Sequence, residues 1–265
     1  MTAIAVTIAG SDSGGGAGIQ ADLKTFSALG VYGVSVITAL TAQNTQRVRA
    51  IHDIPPEFVT AQIDAVFSDF EVNAVKIGML SRAAIVDAVV TGLDRHHAKN
   101  VVLDPVMVAS SGDRLLAPDA IDAVRRRFLP RARLITPNLP EAAALLGGPV
   151  AASERDMRMQ AEKLLSVGAK AVLIKGGHAE GEECVDLLVD ANGVMRLAAP
   201  RVATRNTHGT GCTLSAAIAA ELAKGSSLRD AVRGAKAYIT DAIAGADKLA
   251  VGKGRGPIHH FQKWW

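Results

Sequence analysis

The chain has few aromatic residues and few cysteines. Phe, Trp and Tyr together make up 4% of 265 residues, too few for the stacking platforms that bind single-stranded nucleic acid. Two cysteines, Cys184 and Cys212, do not make a disulfide framework in a chain of this length. Charge of one sign is never concentrated. The net charge is +3, and the run Arg125-Arg126-Arg127 reads as a solvated helix face rather than a DNA-binding patch. No apolar run reaches the roughly 20 residues of a membrane span. The N-terminal segment lacks the basic start and apolar length of a secretory signal. These absences lead to the expectation of a cytoplasmic protein with no nucleic-acid or membrane partner. Also missing are a G-x-x-x-x-G-K-[ST] loop and the protein-kinase signature set, so any ATP is held by another architecture.

What is present is apolar sequence, 49% of the chain, with only 21% charged residues. That suffices for one sizeable core. Strand-like runs at 3–9, 33–40, 74–77, 101–104, 134–136 and 171–174 alternate with helical patterns at 19–29, 55–70, 210–223 and 228–246. Ser81 is placed to cap the helix that follows the 74–77 strand. Two further strands, 184–189 and 194–197, flank Asp190-Ala-Asn-Gly193 and read as a hairpin. The alternation predicts an α/β fold in three layers, a mostly parallel central sheet with helices on both faces and an antiparallel hairpin at one edge. With no linker-like stretch or repeat, residues 1–265 are expected to form a single domain. In such folds functional side chains gather outside the carboxyl ends of the strands.

The segment His208-Gly209-Thr210-Gly211-Cys212 opens a long apolar helix pattern. A glycine turn entering a helix offers unpaired backbone N–H groups at the positive end of the helix dipole, a combination that binds phosphate. With a thiol at its edge, the turn suggests phosphoryl transfer to a hydroxyl. The amides of Gly209, Thr210, Gly211 and Cys212 would hold the developing charge, and Cys212 would take the proton. A free thiol titrates at about 8.5, and a helix N-terminus lowers that toward neutrality. The competing role for Cys212 is that of a small buried filler.

Other candidates fall at the ends of predicted strands, each with a structural alternative. Gly16-Ala-Gly18-Ile-Gln-Ala21 fits a loose dinucleotide pattern, but the acidic residue that reading needs is absent from the end of the second strand. The loop's glycines instead suit close backbone approach to a small substrate. Asp22 is a substrate contact or a favourable charge in the first helical turn. Gln43 gives and accepts hydrogen bonds as an aminopyrimidine edge requires, or is a surface glutamine. Met79 offers a polarizable face to a planar ring, or fills core. Asp104 ends a buried strand. Asn138 and Glu141 resemble a capping pair; alternatively Glu141 organises Mg²⁺, which takes one or two carboxylates and keeps several waters. Lys175 is placed to reach a nucleotide phosphate, or is an exposed lysine before a turn.

Taken together, these segments resemble a known family. Ala9-Gly-Ser-Asp12, Gly15-Gly-Ala-Gly-Ile-Gln-Ala-Asp22, Thr41-Ala-Gln-Asn44, Lys76-Ile-Gly-Met79, Thr136-Pro-Asn-Leu-Pro-Glu141, Lys175-Gly-Gly-His178, Asn206-Thr-His-Gly-Thr-Gly-Cys212 and the 251–260 tail are similar to the bacterial hydroxymethylpyrimidine/phosphomethylpyrimidine kinases of thiamine biosynthesis, in the ribokinase-like superfamily. The resemblance spans the whole chain. It implies a ribokinase-like fold, ATP and Mg²⁺ as cofactors, and a homodimer. It implies two steps: phosphorylation of 4-amino-5-hydroxymethyl-2-methylpyrimidine to the monophosphate, then to the diphosphate. By resemblance Gln43 reads the pyrimidine edge, Met79 packs on the ring, and Gly10, Asp22 and Val106 line the pocket. Asn138 and Lys175 face the nucleotide, Asp104 and Glu141 serve the metal, and Cys212 stands where much of the superfamily has an aspartate base. A pyridoxal or pyridoxine kinase of the same superfamily and a non-catalytic pyrimidine-binding regulator are the alternatives. One departure stands out. The first loop reads Asp12-Ser-Gly-Gly-Gly16, where the family often has Asp-Pro-Ser-Gly-Gly, and is expected to be looser for it.

Overall fold

The computed structural model describes residues 1–107, 116–177 and 181–265. Nine strands form one sheet: β1 (Ile4–Asp12), β2 (Tyr32–Gln43), β3 (Val48–Asp53), β4 (Ala74–Ile77), β5 (Val101–Leu103), β6 (Leu134–Ile135), β7 (Val172–Ile174), β8 (Glu183–Asp190) and β9 (Gly193–Pro200). The helices are α1 (Gly18–Ala28), α2 (Pro56–Asp69), α3 (Ala83–Arg95), α4 (Pro118–Ala123), α5 (Leu139–Leu146), α6 (Glu154–Ser166), α7 (Thr210–Ala223) and α8 (Leu228–Ala244).

The sheet order is β3-β2-β1-β4-β5-β6-β7-β8-β9. Strands from β2 through β7 run parallel, while β3, β8 and β9 join antiparallel. The expected β8–β9 hairpin is present, with Asp190 paired to Gly193. The other edge differs from expectation. β2 runs on to Gln43 and folds back as β3, which the sequence conceals because its burial pattern is almost wholly exposed. A strand with neither face buried carries no apolar alternation to read.

Period-2 alternation along the strands divides the core. Val75, Ile77, Val101, Leu103, Val172 and Ile174 face the layer of α2–α6. Ala74, Val102, Ala171 and Leu173 face α1, α7 and α8. That makes the three layers directly. α7 is buried continuously from Thr213 to Ala220, as a helix lodged between two others and a sheet must be. It lies between α1 and α8, over β1, β4 and β5. The strand order reverses between β1 and β4, and such a switch point leaves a crevice at the carboxyl ends. Ser81 does not cap α3; the N-cap is Arg82, and the Ser81 hydroxyl donates to Asp53 at 2.5 Å. Among the described residues, no helix is long and apolar enough to cross a membrane.

Candidate active site

α7 begins at Gly209, whose φ of 82° is left-handed, and no side chain caps it. A Cβ on Gly209 would lie 1.8 Å from the Gly16 carbonyl oxygen, and one on Gly16 would lie 2.4 Å from His208 Cδ2. The turn therefore seats directly on the first glycine loop, a contact only glycine permits. Two residues on, a Cβ at Gly211 would stand 3.2 Å from Lys175 Nζ and 3.6 Å from Asp104 Oδ2. The uncapped helix start thus opens beside the ends of β5 and β7.

There the charged residues converge. Lys175 Nζ lies 2.6 Å from Asp104 Oδ1 and 3.8 Å from Glu141 Oε2. The Thr136 hydroxyl donates to Asp104 Oδ1 at 3.2 Å, and Ser215 Oγ of α7 is 3.3 Å from Oδ2. Asn138 and Glu141 make the capping box in full: Asn138 Oδ1 accepts from the Glu141 N–H at 2.9 Å, and Glu141 Oε2 accepts from the Asn138 N–H at 2.8 Å. The Asn138 side chain is thereby committed to the start of α5, while its backbone bridges to Lys175. The Glu141 oxygen that closes the box also faces Lys175. Burial pushes the Glu141 carboxyl up to about 7, opposed by Lys175 and reinforced by Asp104. Burial pushes the Lys175 ammonium down, but Asp104 and Glu141 outweigh it and hold it above its ordinary value.

The opposite wall comes from β1, β2 and β4. A Cβ at Gly10 would meet Met79 Cε at 2.7 Å, so the missing side chain leaves the thioether lying over the β1 backbone. Met79 is buried in the core cluster, with Val106 partly buried against it. Gln43 Nε2 is 3.5 Å from His208 Nε2, which brings the end of β2 to the residue preceding the glycine turn. Asp22 lies in the second turn of α1 rather than the first, and its charge answers Lys76 rather than the helix dipole. It is fully buried; its Oδ2 accepts from Lys76 Nζ at 2.7 Å and from Thr7 Oγ1 at 2.6 Å. Its Oδ1 is buried and has no protein partner. Burial raises the Asp22 pKa against the pull of Lys76.

Cys212 is half-buried and unpaired by any disulfide. Its thiol is not lowered toward neutrality. Burial pushes it up to about 11, Asp22 and Asp104 add to the rise, and Lys76 and the Gly18 N–H oppose it. The helix start is outweighed by desolvation and two neighbouring carboxylates.

Sequence reasoning passed over the pairing of Asp12 with His208. His208 Nε2 is 2.8 Å from Asp12 Oδ2, and the same carboxylate accepts the N–H groups of Gly14, Gly16 and Ala17 at 2.8, 3.1 and 2.9 Å. Burial raises the Asp12 pKa, but His208 and these N–H groups outweigh it, and the net shift is downward. The loop without proline is thus wound around a buried carboxylate, and the Ser13 hydroxyl donates to the Gln43 carbonyl at 2.7 Å. No local signal links positions 12 and 208; only the parallel sheet brings them together. His178, the end of one motif, lies outside the described residues.

The described residues contain no group of three or more His, Cys, Asp and Glu side chains able to hold a metal unaided. The carboxylate pair Asp104 and Glu141 beside the uncapped start of α7 nevertheless fits the chemistry of Mg²⁺, which takes one or two carboxylates and keeps several waters.

The phosphomethylpyrimidine kinase family model matches residues 12–259. The chain is similar to the hydroxymethylpyrimidine/phosphomethylpyrimidine kinase of Rhizobium meliloti, 61% identical over 100% of this chain and 99% of that one. It is likewise similar to the kinase of that description from Salmonella typhimurium, 58% identical over 98% of each chain. Among solved structures, the ADP complex of Bacillus subtilis pyridoxal kinase superposes with a TM-score of 0.91 at 38% identity, covering 98% of both chains.

Proposed function

The chain belongs to the phosphomethylpyrimidine kinase family, and we propose that the residues converging on the start of α7 divide that family's reaction among themselves as follows. The protein is a kinase of thiamine biosynthesis. It transfers phosphoryl groups from ATP to 4-amino-5-hydroxymethyl-2-methylpyrimidine and then to the resulting monophosphate. The amides of Gly209, Thr210, Gly211 and Cys212 receive the transferring phosphoryl, as an oxyanion hole receives developing charge. Lys175 and Asn138 stand on the nucleotide side. Gln43, Met79, Gly10, Asp22 and Val106 enclose the pyrimidine. The unpartnered Asp22 Oδ1 supports a substrate donor there, because a buried acceptor without a partner costs about 1–3 kcal/mol.

Asp104 and Glu141 would hold Mg²⁺, which when bound neutralises phosphate charge. In the absence of phosphate, Lys175 compensates the two carboxylates. Cys212 takes the proton of the substrate hydroxyl in the first step. The second step needs no base, because a phosphate monoester is largely dianionic at pH 7.

A homodimer is supported by the β2–β3 ribbon. Leu40, Ala42, Ala50 and His52 share one face by register and all are exposed, at a margin of the sheet that another strand could extend. A single kinase domain in the cytoplasm completes the reading.

The observation that carries the assignment is the placement of Gly211 at the start of α7, where a Cβ would lie 3.2 Å from Lys175 Nζ and 3.6 Å from Asp104 Oδ2. Mass-spectrometric product analysis with ATP, Mg²⁺ and the hydroxymethylpyrimidine tests it. Both the monophosphate and the diphosphate are expected, with pyridoxal as a parallel substrate because of the likeness to pyridoxal kinase. Ligand binding without ADP formation would leave a non-catalytic regulator, and preference for pyridoxal would reassign the pocket.

A further inference from the structure

A buried charge pair lies behind Lys175, outside the active site. Lys236 of α8 is 8% exposed and Asp186 of β8 is 4% exposed. Lys236 Nζ donates to Asp186 Oδ2 at 2.8 Å and to the Cys184 carbonyl at 3.0 Å. The second oxygen of the carboxylate, Oδ1, accepts the Gly176 N–H at 2.8 Å. Gly176 immediately follows Lys175, whose ammonium sits between Asp104 and Glu141.

The backbone here is held from both sides. Toward β6, the Lys175 N–H donates to the Pro137 carbonyl at 2.9 Å, and Lys175 bridges Asn138. Toward β8, the ladder stops: Ile174 pairs with Leu187, and beyond it Asp186 supplies a side-chain acceptor where a strand would supply a carbonyl. A Cβ on Gly176 would come within 1.9 Å of the Val185 carbonyl oxygen, so the segment lies flat against β8. Arg201 secures the next residue, donating from Nη1 to the Gly177 carbonyl at 3.0 Å and from Nε to the Gly181 carbonyl at 2.8 Å. A carboxylate fixed by a buried ammonium is a rigid acceptor, and burying the two together is tolerable because each compensates the other.

We propose that Lys236 and Asp186 are positioning residues for ATP, acting through the Gly176 N–H to hold the 175–177 segment where Lys175 meets the nucleotide. The inference rests on the reading of Lys175 as nucleotide-facing. Neither residue touches the reacting groups. Their effect is expected in nucleotide affinity, while pyrimidine affinity, set by β1, β2 and β4, is left alone.

Two double variants separate this role from a purely structural one. Lys236→Met with Asp186→Asn removes both charges but keeps an acceptor for the Gly176 N–H. Lys236→Met with Asp186→Leu removes the acceptor as well. Loss of one hydrogen bond is expected to raise KM for ATP about tenfold in the leucine variant. The asparagine variant should stay near the native value, with KM for the pyrimidine unchanged in both. Equal KM values for ATP in the two, or a parallel rise in KM for the pyrimidine, would overturn the inference. Thermal melts establish that both are folded at the assay temperature. Should the leucine variant unfold, Lys236→Gln, which loosens Asp186 without removing it, decides by the same split. Lys175→Met is measured alongside. If it raises KM for ATP while the double variants match, the positioning role fails alone. If it leaves KM for ATP unchanged, the nucleotide reading of Lys175 fails and the inference goes with it.

Discussion

Cys212 titrates far above neutrality, and this fixes what a kinetic experiment should read. If Cys212 is the base of the first step, a thiol held at about 11 is mostly protonated at physiological pH, and the rate of that step should climb about tenfold per pH unit below that value. The second step, with a phosphate nucleophile, should be flat above about pH 7. Stopped assays that follow the two phosphorylations separately check both slopes. Cys212→Ala should slow the first step by about 10²-fold or more and the second far less. Equal losses in the two steps would remove the base assignment and leave the thiol a packing role. Gln43, Asp104 and Lys175 were legible as candidates because polar residues at the ends of apolar strands stand out. The contact of Glu141 with Lys175 was not. A capping box and a site carboxylate have the same sequence signature, and only the fold brings the oxygen that closes the box to 3.8 Å from Lys175.

The start of α7 depends on its neighbours as much as on its own sequence. At Gly209 a Cβ would be strained by the left-handed φ, at roughly 1–3 kcal/mol, and would overlap the Gly16 carbonyl as well. Gly209→Ala should therefore lower the melting temperature and displace the turn. Because a shift of about 1 Å in positioning can cost 10²-fold, kcat should fall by at least that factor in whatever protein folds. Farther along α7, Thr213 Oγ1 lies 3.0 Å from Nε2 of His260 in the C-terminal segment, whose carbonyl accepts from the Tyr238 hydroxyl of α8 at 2.7 Å. Burial, with Lys24 and the neighbouring histidines, lowers the His260 pKa to about 3 from an ordinary 6.5. A depressed folded-state value means that the stability it confers is present above 6.5 and is lost as pH falls toward 3. The slope is about 1.4 kcal/mol per pH unit inside that window. Denaturant titrations between pH 3 and 7 should show a flatter dependence for His260→Gln than for the native chain.

At the scale of the molecule, the sheet has two unlike margins. The β8–β9 edge ends in the buried contacts of Asp186 with Lys236, whereas β3, which closes the β2–β3 ribbon at the other margin, is largely exposed on both faces. If that ribbon joins two copies, Leu40→Glu combined with Ala50→Glu should halve the mass measured by light scattering. Product formation by the separated protomers would then show whether the site is complete in one chain. An unchanged mass would place any dimer contact elsewhere. The parallel core of the sheet was readable because strands buried on both faces are continuous apolar runs. β3 was not readable, because its side chains answer to no core.

The sequence by itself determined the layered fold and the glycine turn that enters α7, because both are local: alternating apolar runs and a glycine-rich helix start act within a few residues. It also carried the family through motifs spread from Asp12 to Cys212. Tertiary structure alone decided the electrostatics. Asp12 meets His208, Asp22 meets Lys76, and Asp186 meets Lys236 across 196, 54 and 50 positions of chain. The thiol that a helix start should acidify is instead held protonated by burial and neighbouring carboxylates. Charge interactions depend on distance and on exclusion of water, and neither is defined until the layers have packed.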